Sequence, residues 1–508
     1  MKINDISMQD LEITGFIIMK VMRTIFKYII GGTLILSIVY ACSEELTMSD
    51  NTSPVNQESV IKTRGDVPFQ DPSVSAFIKG KKVTREFVPV ILERSLDKTE
   101  FKDIDEYTLT TVTKDGRELI HVANFEKGGW AIVSGRFQTE NQILAYGAEG
   151  EFDPNNIESP EVRFWLEMAE AMVENEMIED EENDFEEMLR SGPYDNEPYV
   201  WVRFILDPQY STTYNYSIVN HLVVTKWGQN EPWNYLCPYF GDVLCPLGCT
   251  AVAVGQMLYY LHGHIAFPSG LYHTIIPYYD YHYNSSDAYC TSSVIRSNYY
   301  SNSTRWASMA TTNPGVLTTG VQYVGDLLID IANRAESVFR IDETSGNTST
   351  SLFSNYYDIY CTKSNFSQST VVSSLNNSMP IMVSAKTSNS SNADGHEWII
   401  DGYNSTYTVE DRRYKWRMVP PDSLSYFALY SYDYIYTEAE KQQFFPEVIE
   451  DEIVHEYSSF INYYYKMNWG WHDNRNSYDY DNGLYSFGNW DAGQHDLNYQ
   501  IKIYHGFH

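Results

Sequence analysis

The hydrophobic and polar positions of the chain change their period from one part to the next. From about residue 60 to 153 they alternate as in β-strands, and turn signals at 114–117 and 126–129 predict two hairpins. From Ser159 to Arg190 the apolar positions follow a helical spacing, and Ser159-Pro160 is a typical helix start. These patterns predict an α+β domain in the first part of the chain.

A second region begins near Ser217, after the break signal "SGPYDNEP" at 191–198. Its apolar residues have helical spacing from Cys249 to Tyr260 and again from Val316 to Ala332. From Pro380 onward, short runs rich in Tyr and Trp predict β-strands. The second region therefore predicts a helical lobe followed by a β lobe.

Composition narrows the class of protein. A chain of 508 residues is long enough for more than one domain, and its 42 Tyr and 11 Trp exclude a disordered composition. The formal net charge is -33, and so strong a negative field disfavours nucleic acid and anionic membrane surfaces as partners.

The N-terminal segment predicts export. A basic start at Met22 leads into an apolar run over 28–41, which is too short for a comfortable membrane span and typical of a secretory signal. Val39-Tyr40-Ala41-Cys42 resembles a bacterial lipoprotein cleavage box, which would make Cys42 the site of lipid attachment. The alternative is an uncleaved anchor helix. We expect a cell-envelope protein, either an outer-membrane lipoprotein at the cell surface or a secreted protein, that touches the membrane only through its lipid anchor.

Cys249 is the candidate nucleophile. It follows Gly248 at the start of an apolar helix, and a helix N-terminus lowers the pKa of a thiol. A nearby imidazolium would lower that pKa further, and His396 in "ADGHEWIIDGYN" is the best candidate because it starts an apolar strand. The bland alternatives are a buried core cysteine and a structural histidine.

Three further residues could complete an acyl-transfer site. Asn468 in "YKMNWGWHD" can offer its side-chain oxygen to the histidine ring, and Trp469 can shield that bond from water. Gln229 in "KWGQNEPWN" can donate its side-chain N–H to an oxyanion beside the backbone N–H of Cys249.

The remaining cysteines leave two interpretations open. Outside the cytoplasm disulfides are permitted, and four cysteines allow three pairings. A metal site that combines two of them with His262 and His264 matches no standard zinc spacing, so we expect no metal and no cofactor. The four cysteines are Cys237, Cys245, Cys290 and Cys361.

The ordered set of Gln, Cys, His and Asn-Trp resembles the streptopain family of papain-like cysteine peptidases. The resemblance implies a papain-like two-lobe α+β fold, Cys249 as nucleophile and His396 as general base and acid. It also implies that Gln229 is the oxyanion donor and that Asn468 and Trp469 orient the histidine. The segments that carry it are "TKWGQNEPWNYLCP", "GCTAVAVGQMLYYLH", "GHEWIIDGY" and "MNWGW".

The N-terminal stretch "GGWAIVSGRFQTENQILAYGAEGEFD" resembles the propeptide of the same family, a fold also found in free inhibitors. The resemblance thus implies a cysteine endopeptidase made as a zymogen, with protein or peptide substrates and its own propeptide as intramolecular inhibitor. Two other functions stay open: a Cys–His acyltransferase or amidase on the same fold, and a catalytically silent surface lipoprotein that binds a ligand.

These observations predict a division of the chain. The family passes from its histidine to Asn-Trp in a short hairpin, whereas this chain has an insertion there, and the family's glycine-rich C-terminal loop is replaced by 487–500. We expect the acids of the insertion, 447–456, either on the rim of the cleft or far from substrate as a solubilising decoration. The predicted parts are a signal region at 1–41, a polar tether at 42–59, a propeptide at 60–200, an activation linker at 201–211, and a peptidase domain at 212–508 with the insertion at 409–465.

Overall fold

A computed structural model describes 55–57, 82–85, 87–97, 101, 104, 106–136, 142–157, 159–190, 198–265, 273–274, 281–290, 296–297, 302–386, 395–419, 432–436, 438–444, 446–447, 449–471, 483–487 and 500–508. These residues belong to one compact unit, Pro54–His508. The predicted signal region and the lipid attachment at Cys42 lie outside the described residues. No helix among the described residues is long and apolar enough to span a membrane.

Helices and strands are both abundant, which confirms the α+β prediction. The helices are α1 (Val88–Ser95), α2 (Pro160–Arg190), α3 (Cys249–His264), α4 (Ser303–Ser308), α5 (Thr319–Arg334), α6 (Thr350–Tyr357), α7 (Gln368–Asn376) and α8 (Glu438–Phe444). The strands are β1 (Val55–Gln57), β2 (Tyr107–Lys114), β3 (Arg117–Phe125), β4 (Trp130–Ser134), β5 (Ile143–Gly147), β6 (Val200–Val219), β7 (Tyr239–Phe240), β8 (Val243–Leu244), β9 (His273–Thr274), β10 (Tyr281–Tyr283), β11 (Ala288–Cys290), β12 (Arg296–Ser297), β13 (Val338–Phe339), β14 (Thr344–Ser345), β15 (Thr362–Asn365), β16 (Ile381–Lys386), β17 (Gly395–Val419), β18 (Tyr432–Tyr436), β19 (Ile453–Asn468), β20 (Leu484–Tyr485) and β21 (Gln500–His505).

The N-terminal strands form an antiparallel meander, and the two predicted hairpins are present. Asp115 and Gly116 both have positive φ between β2 and β3, as a two-residue hairpin turn requires. The meander does not stand alone, because β5 pairs with β20 and thereby joins the sheet of the C-terminal part. Part of the predicted polar tether, Val55–Gln57, is strand β1 and pairs with β2.

Two hydrophobic cores lie on either side of the C-terminal sheet. One is formed by the helical lobe, where α3 packs against α5. The other lies under the β lobe and also contains the apolar side chains of α2, among them Trp165 and Phe164. Because α2 belongs to the N-terminal part, that part shares a core with the β lobe.

The insertion extends the sheet into a long arm. Strand β17 runs for 25 residues and pairs with β19 on one side and, beyond Tyr403, with β6 on the other. The expected hairpin-like excursion with extra strands is therefore present, but these strands are long rather than short. The predicted linker 201–211 lies within β6 and forms part of the ladder instead of a loose connection.

The acidic segment 447–456 lies at the far end of this arm, where Lys415 pairs with Ile453. At a rise of about 3.3 Å per residue, Lys415 is roughly 60 Å along β17 from His396. The expectation that these acids line the rim of the cleft is therefore wrong, and the position fits the alternative of a decoration far from substrate.

Candidate active site

Cys249 is the first residue of α3, as the sequence predicts. Gly248 precedes it with φ 87°, and a Cβ at that position would lie 2.6 Å from the carbonyl oxygen of Thr344, so only glycine fits. The helix beyond Cys249 is buried almost throughout. The sequence thus fixes the thiol at the open end of a helix whose body lies in the helical lobe.

His396 lies near the start of β17, opposite Ala385 of β16. Its imidazole is about a quarter exposed, with a side-chain exposure of 23%. The ring of Phe164, from α2, lies 5.2 Å from it between centroids. A residue of the N-terminal part therefore covers the histidine.

Glu161, in the first turn of α2, enters the same site. Its carboxylate accepts a hydrogen bond of 2.7 Å from Gln229 Nε2 and lies 4.0 Å from His396 Nδ1. Ser159 Oγ donates to its other oxygen at 3.1 Å. The side chain of Glu161 is fully buried, and its oxygen, Cys249 Sγ and a ring nitrogen of His396 all lie within 4.8 Å of one another.

The electrostatics of this arrangement oppose a thiolate. Burial raises the pKa of Cys249 well above its ordinary value, and the carboxylates of Glu161 and Glu397 raise it further. The backbone N–H groups of Glu397 and Thr250 donate to the sulfur and act the other way, but burial outweighs them. Burial and the two carboxylates outweigh the pKa lowering expected for a helix N-terminus, so this arrangement disfavours the thiolate form of Cys249.

Glu397, next to His396, is a second buried carboxyl group near the thiol. Burial raises its pKa, and hydrogen bonds from Thr348, Thr250 and Ser384 partly offset that shift. The positive charge of Lys363 also lowers its pKa, but burial remains the largest effect.

Asn468 and Trp469 lie at the end of β19, with Asn468 opposite Ile399. Both ends of the Asn468 amide are engaged with Gln256: Asn468 Nδ2 donates to Gln256 Oε1 at 3.1 Å, and Gln256 Nε2 donates to Asn468 Oδ1 at 3.0 Å. Asn468 Nδ2 also donates to the carbonyl oxygen of Thr225 at 2.9 Å. Among the described residues the amide thus binds these groups rather than the His396 ring, while Trp469 packs on Trp398 with ring centroids 5.4 Å apart.

Gln256 links two parts of the site. Besides Asn468, its Oε1 accepts from Thr225 Oγ1 at 3.0 Å and from the backbone N–H of Trp227 at 3.3 Å. Trp227 begins the loop that carries Gln229, so the buried amide of Gln256 joins this loop to the end of β19. Sequence reasoning missed Gln256, because it is one polar residue in an apolar helix.

Sequence reasoning also missed Glu161, but for a different reason. An acidic residue in the first turn is ordinary helix chemistry, since it faces the positive end of the macrodipole. Only its full burial and its contact with Gln229 reveal more.

The structure supports none of the three disulfide pairings of the other cysteines. Among the described residues, none of Cys237, Cys245, Cys290 and Cys361 is joined in a disulfide. His262 stacks on Trp306 and His264 on Tyr260, and the described group of residues with metal-ligand spacing is Glu161, Cys249 and His396 instead.

Two parts of the chain match known protein families. Residues 227–415 match the Peptidase C10 family, and residues 80–173 match the Spi protease inhibitor family. The chain carries a cysteine peptidase domain of the Peptidase C10 family. This confirms the resemblance to the streptopain family and the prediction of a cysteine endopeptidase. The C10 match includes Gln229, Cys249 and His396, but ends in β17 before Asn468.

The chain is also similar to solved structures at low sequence identity. A mutant fragment of prointerpain A from Prevotella intermedia is 17% identical, with a TM-score of 0.43, over 78% of this chain and 98% of the fragment. Active wild-type interpain A, a cysteine protease of Prevotella intermedia, is 16% identical, with a TM-score of 0.33, over 56% of this chain and 94% of that one. No curated protein gives a significant match.

The order of the two family matches has a functional consequence. An inhibitor-like domain precedes the peptidase domain in one chain, and its helix α2 supplies Glu161 and Phe164 to the site. This is the organisation of a zymogen, in which the propeptide inhibits its own peptidase.

Proposed function

We propose that this C10 peptidase is a secreted, lipid-anchored endopeptidase made as a zymogen, with Cys249 as nucleophile and His396 as general base and acid. Once the inhibitor-like part has left, His396 takes the proton of Cys249, and the thiolate attacks the carbonyl carbon of a peptide bond. The Gln229 side chain and the Cys249 backbone N–H stabilise the oxyanion. His396 then protonates the leaving amine, and water hydrolyses the thioester.

In this proposal, Asn468 and Trp469 orient the imidazole of His396 after activation. The amide of Asn468 would have to exchange its bond with Gln256 for one with the ring. Trp469, fully buried against Trp398, supports a dry environment for that bond.

Latency is the part of the proposal with the most direct geometric support. Glu161 takes the Gln229 N–H that would otherwise bind the oxyanion. The same carboxylate disfavours a negative charge on Cys249, and Phe164 covers His396. A single turn of α2 thus acts on Gln229, Cys249 and His396 together.

The observation that carries the proposal is the meeting of Cys249, His396 and Glu161 within 4.8 Å, with Gln229 bound to Glu161. It is tested by Cys249→Ala in the processed enzyme, measured as hydrolysis of a protein substrate. We expect a loss of several orders of magnitude with the melting temperature unchanged, because catalytic groups act as a unit. Retention of more than about a tenth of the activity would assign the nucleophile elsewhere. Product analysis with an added amine separates hydrolysis from acyl transfer.

Lipid attachment at Cys42 is a separate proposal, supported by the signal-like run over 28–41. We expect a Cys42→Ser protein to leave the membrane fraction, because several acyl chains anchor far more strongly than one. Retention of that variant in the membrane would support the uncleaved anchor helix instead.

A further inference from the structure

The latent active site brings three different metal-ligating groups to one point. A carboxylate oxygen of Glu161, the sulfur of Cys249 and a ring nitrogen of His396 lie within 4.8 Å of one another. Thiolate, imidazole and carboxylate together are ligands of zinc, whereas calcium and magnesium take oxygen ligands. Three protein ligands with an open fourth position are also the usual number in a reactive zinc site.

We propose that the full-length chain binds one Zn²⁺ ion through Glu161, Cys249 and His396, and that the ion ties the inhibitor-like part to the peptidase part. This inference rests on the proposed function only because it takes the latent arrangement as the state that binds zinc. It goes beyond that function, because it assigns to the latent form a bound metal ion that the peptidase reaction does not use.

The distances suit zinc after a small adjustment. For one sulfur, one nitrogen and one oxygen ligand, bonds of about 2.0–2.3 Å at a tetrahedral angle place neighbouring ligand atoms about 3.3–3.6 Å apart. His396 Nδ1 and Glu161 Oε1 are already 4.0 Å apart. A closure of about 1.3 Å or less across the group therefore completes the coordination. The imidazole is partly exposed, so its ring can make that movement.

Charge also favours the ion. Glu161 is fully buried, and although Gln229 and Ser159 donate hydrogen bonds to its carboxylate, a cation would compensate the buried charge further. When zinc binds, the S–H bond of Cys249 breaks, a Zn–S bond forms, and the proton passes to solvent. The dication then balances the thiolate and the carboxylate together. Without the ion, the thiolate and Glu161 would repel each other.

The proposed site exists only in the unprocessed chain. Two ligands come from the peptidase part, and Glu161 comes from helix α2 of the inhibitor-like part. Departure of that part removes one ligand and should weaken zinc binding. Conversely, bound zinc should hold α2 in place and delay activation.

The test is a zinc titration of the full-length chain by calorimetry, with Co²⁺ as an optical probe of thiolate coordination. Intact mass before and after each titration shows that the chain is unprocessed. The variants are Cys249→Ala and Glu161→Gln. Glu170→Gln, which changes another carboxyl group on α2, is the matched control.

We expect one zinc ion per chain and a thiolate-to-cobalt charge-transfer band that Cys249→Ala abolishes. Glu161→Gln should weaken zinc binding at least about 10-fold, the lower end of the loss seen even for groups around metal ligands, while Glu170→Gln leaves it unchanged. Should Glu161→Gln fail to fold, the processed enzyme takes its place and should show the same weakening. The proposal is overturned if zinc does not bind, or if binding is the same without the sulfur or without the Glu161 carboxylate. These outcomes do not depend on hydrolysis, so failure of the proposed peptidase mechanism would be seen separately.

Discussion

Replacing the Glu161 carboxylate of the inhibitor-like part should shift the latent enzyme toward its open state. In Glu161→Gln, the charged hydrogen bond from Gln229 becomes a weaker neutral one, and the attraction to His396 is lost. Hydrogen bonds to charged groups contribute about 1.5–3 kcal/mol and neutral ones about 0.5–1.5 kcal/mol. We therefore expect the closed state to lose about 1–2 kcal/mol, which corresponds to an opening equilibrium about 5- to 30-fold more favourable.

The assay is the rate at which a small alkylating reagent modifies Cys249 in the full-length chain, read by peptide mass spectrometry. The rate follows the open population and the thiolate fraction, and loss of the Glu161 charge raises both. The control is Glu167→Gln, an exposed carboxyl group on the same helix. If Glu161→Gln labels within about twofold of the wild type, or if Glu167→Gln labels equally fast, Glu161 does not maintain latency.

Three other perturbations test the structure. Burial and the nearby Glu167 raise the pKa of Glu170 from 4.5 to about 7. Because the folded state binds this proton more tightly than the unfolded state, the stability of the fold falls as pH rises through about 7. The melting temperature should therefore drop between pH 5 and 8, and Glu170→Gln should reduce that drop. Gln256→Leu leaves several buried polar groups without a hydrogen-bond partner, at a cost of about 1–3 kcal/mol each. Denaturant unfolding should therefore show a free energy of unfolding lower by more than about 2 kcal/mol. A decrease below about 1 kcal/mol would contradict the hydrogen-bond network around Gln256. The variant Glu447→Gln/Glu450→Gln/Asp451→Asn removes acidic charges at the tip of the arm. At low salt it should leave the preference between Lys-flanked and Glu-flanked peptides unchanged. A changed ratio of kcat/KM for the two peptides would place the tip near substrate.

The sequence predicts those features that depend on neighbouring residues. The turn at Asp115-Gly116 follows from two residues that tolerate positive φ, and the start of α3 follows from Gly248 and the apolar run after Cys249. The identities of Gln229, Cys249 and His396 are likewise visible, because each lies in a distinct local motif.

Features that depend on distant pairing are not visible in the sequence. Strand β6 looks like a linker in isolation, and its strand partners, 403–419 in β17 and 432–436 in β18, lie some two hundred residues later. The same limit applies to the raised pKa of Cys249, which comes from burial and from the carboxylates of Glu161 and Glu397. The motif around Cys249 shows neither its burial nor Glu161, which lies in another part of the chain.

Strand β6 also constrains how the enzyme is activated. It follows the inhibitor-like part along the chain, yet its backbone pairs with the insertion strand β17 from Tyr403 to Val419. A cut within 201–211 would leave both fragments held by that ladder, whereas a cut before Val200 would leave β6 whole in the peptidase. The inhibitor-like part is held elsewhere, through the pairing of β5 with β20, through the hydrophobic core that α2 shares with the β lobe, and through the contacts of α2 with the active site. Its departure can therefore leave the arm undisturbed, which makes the arm a part of the peptidase rather than of the propeptide.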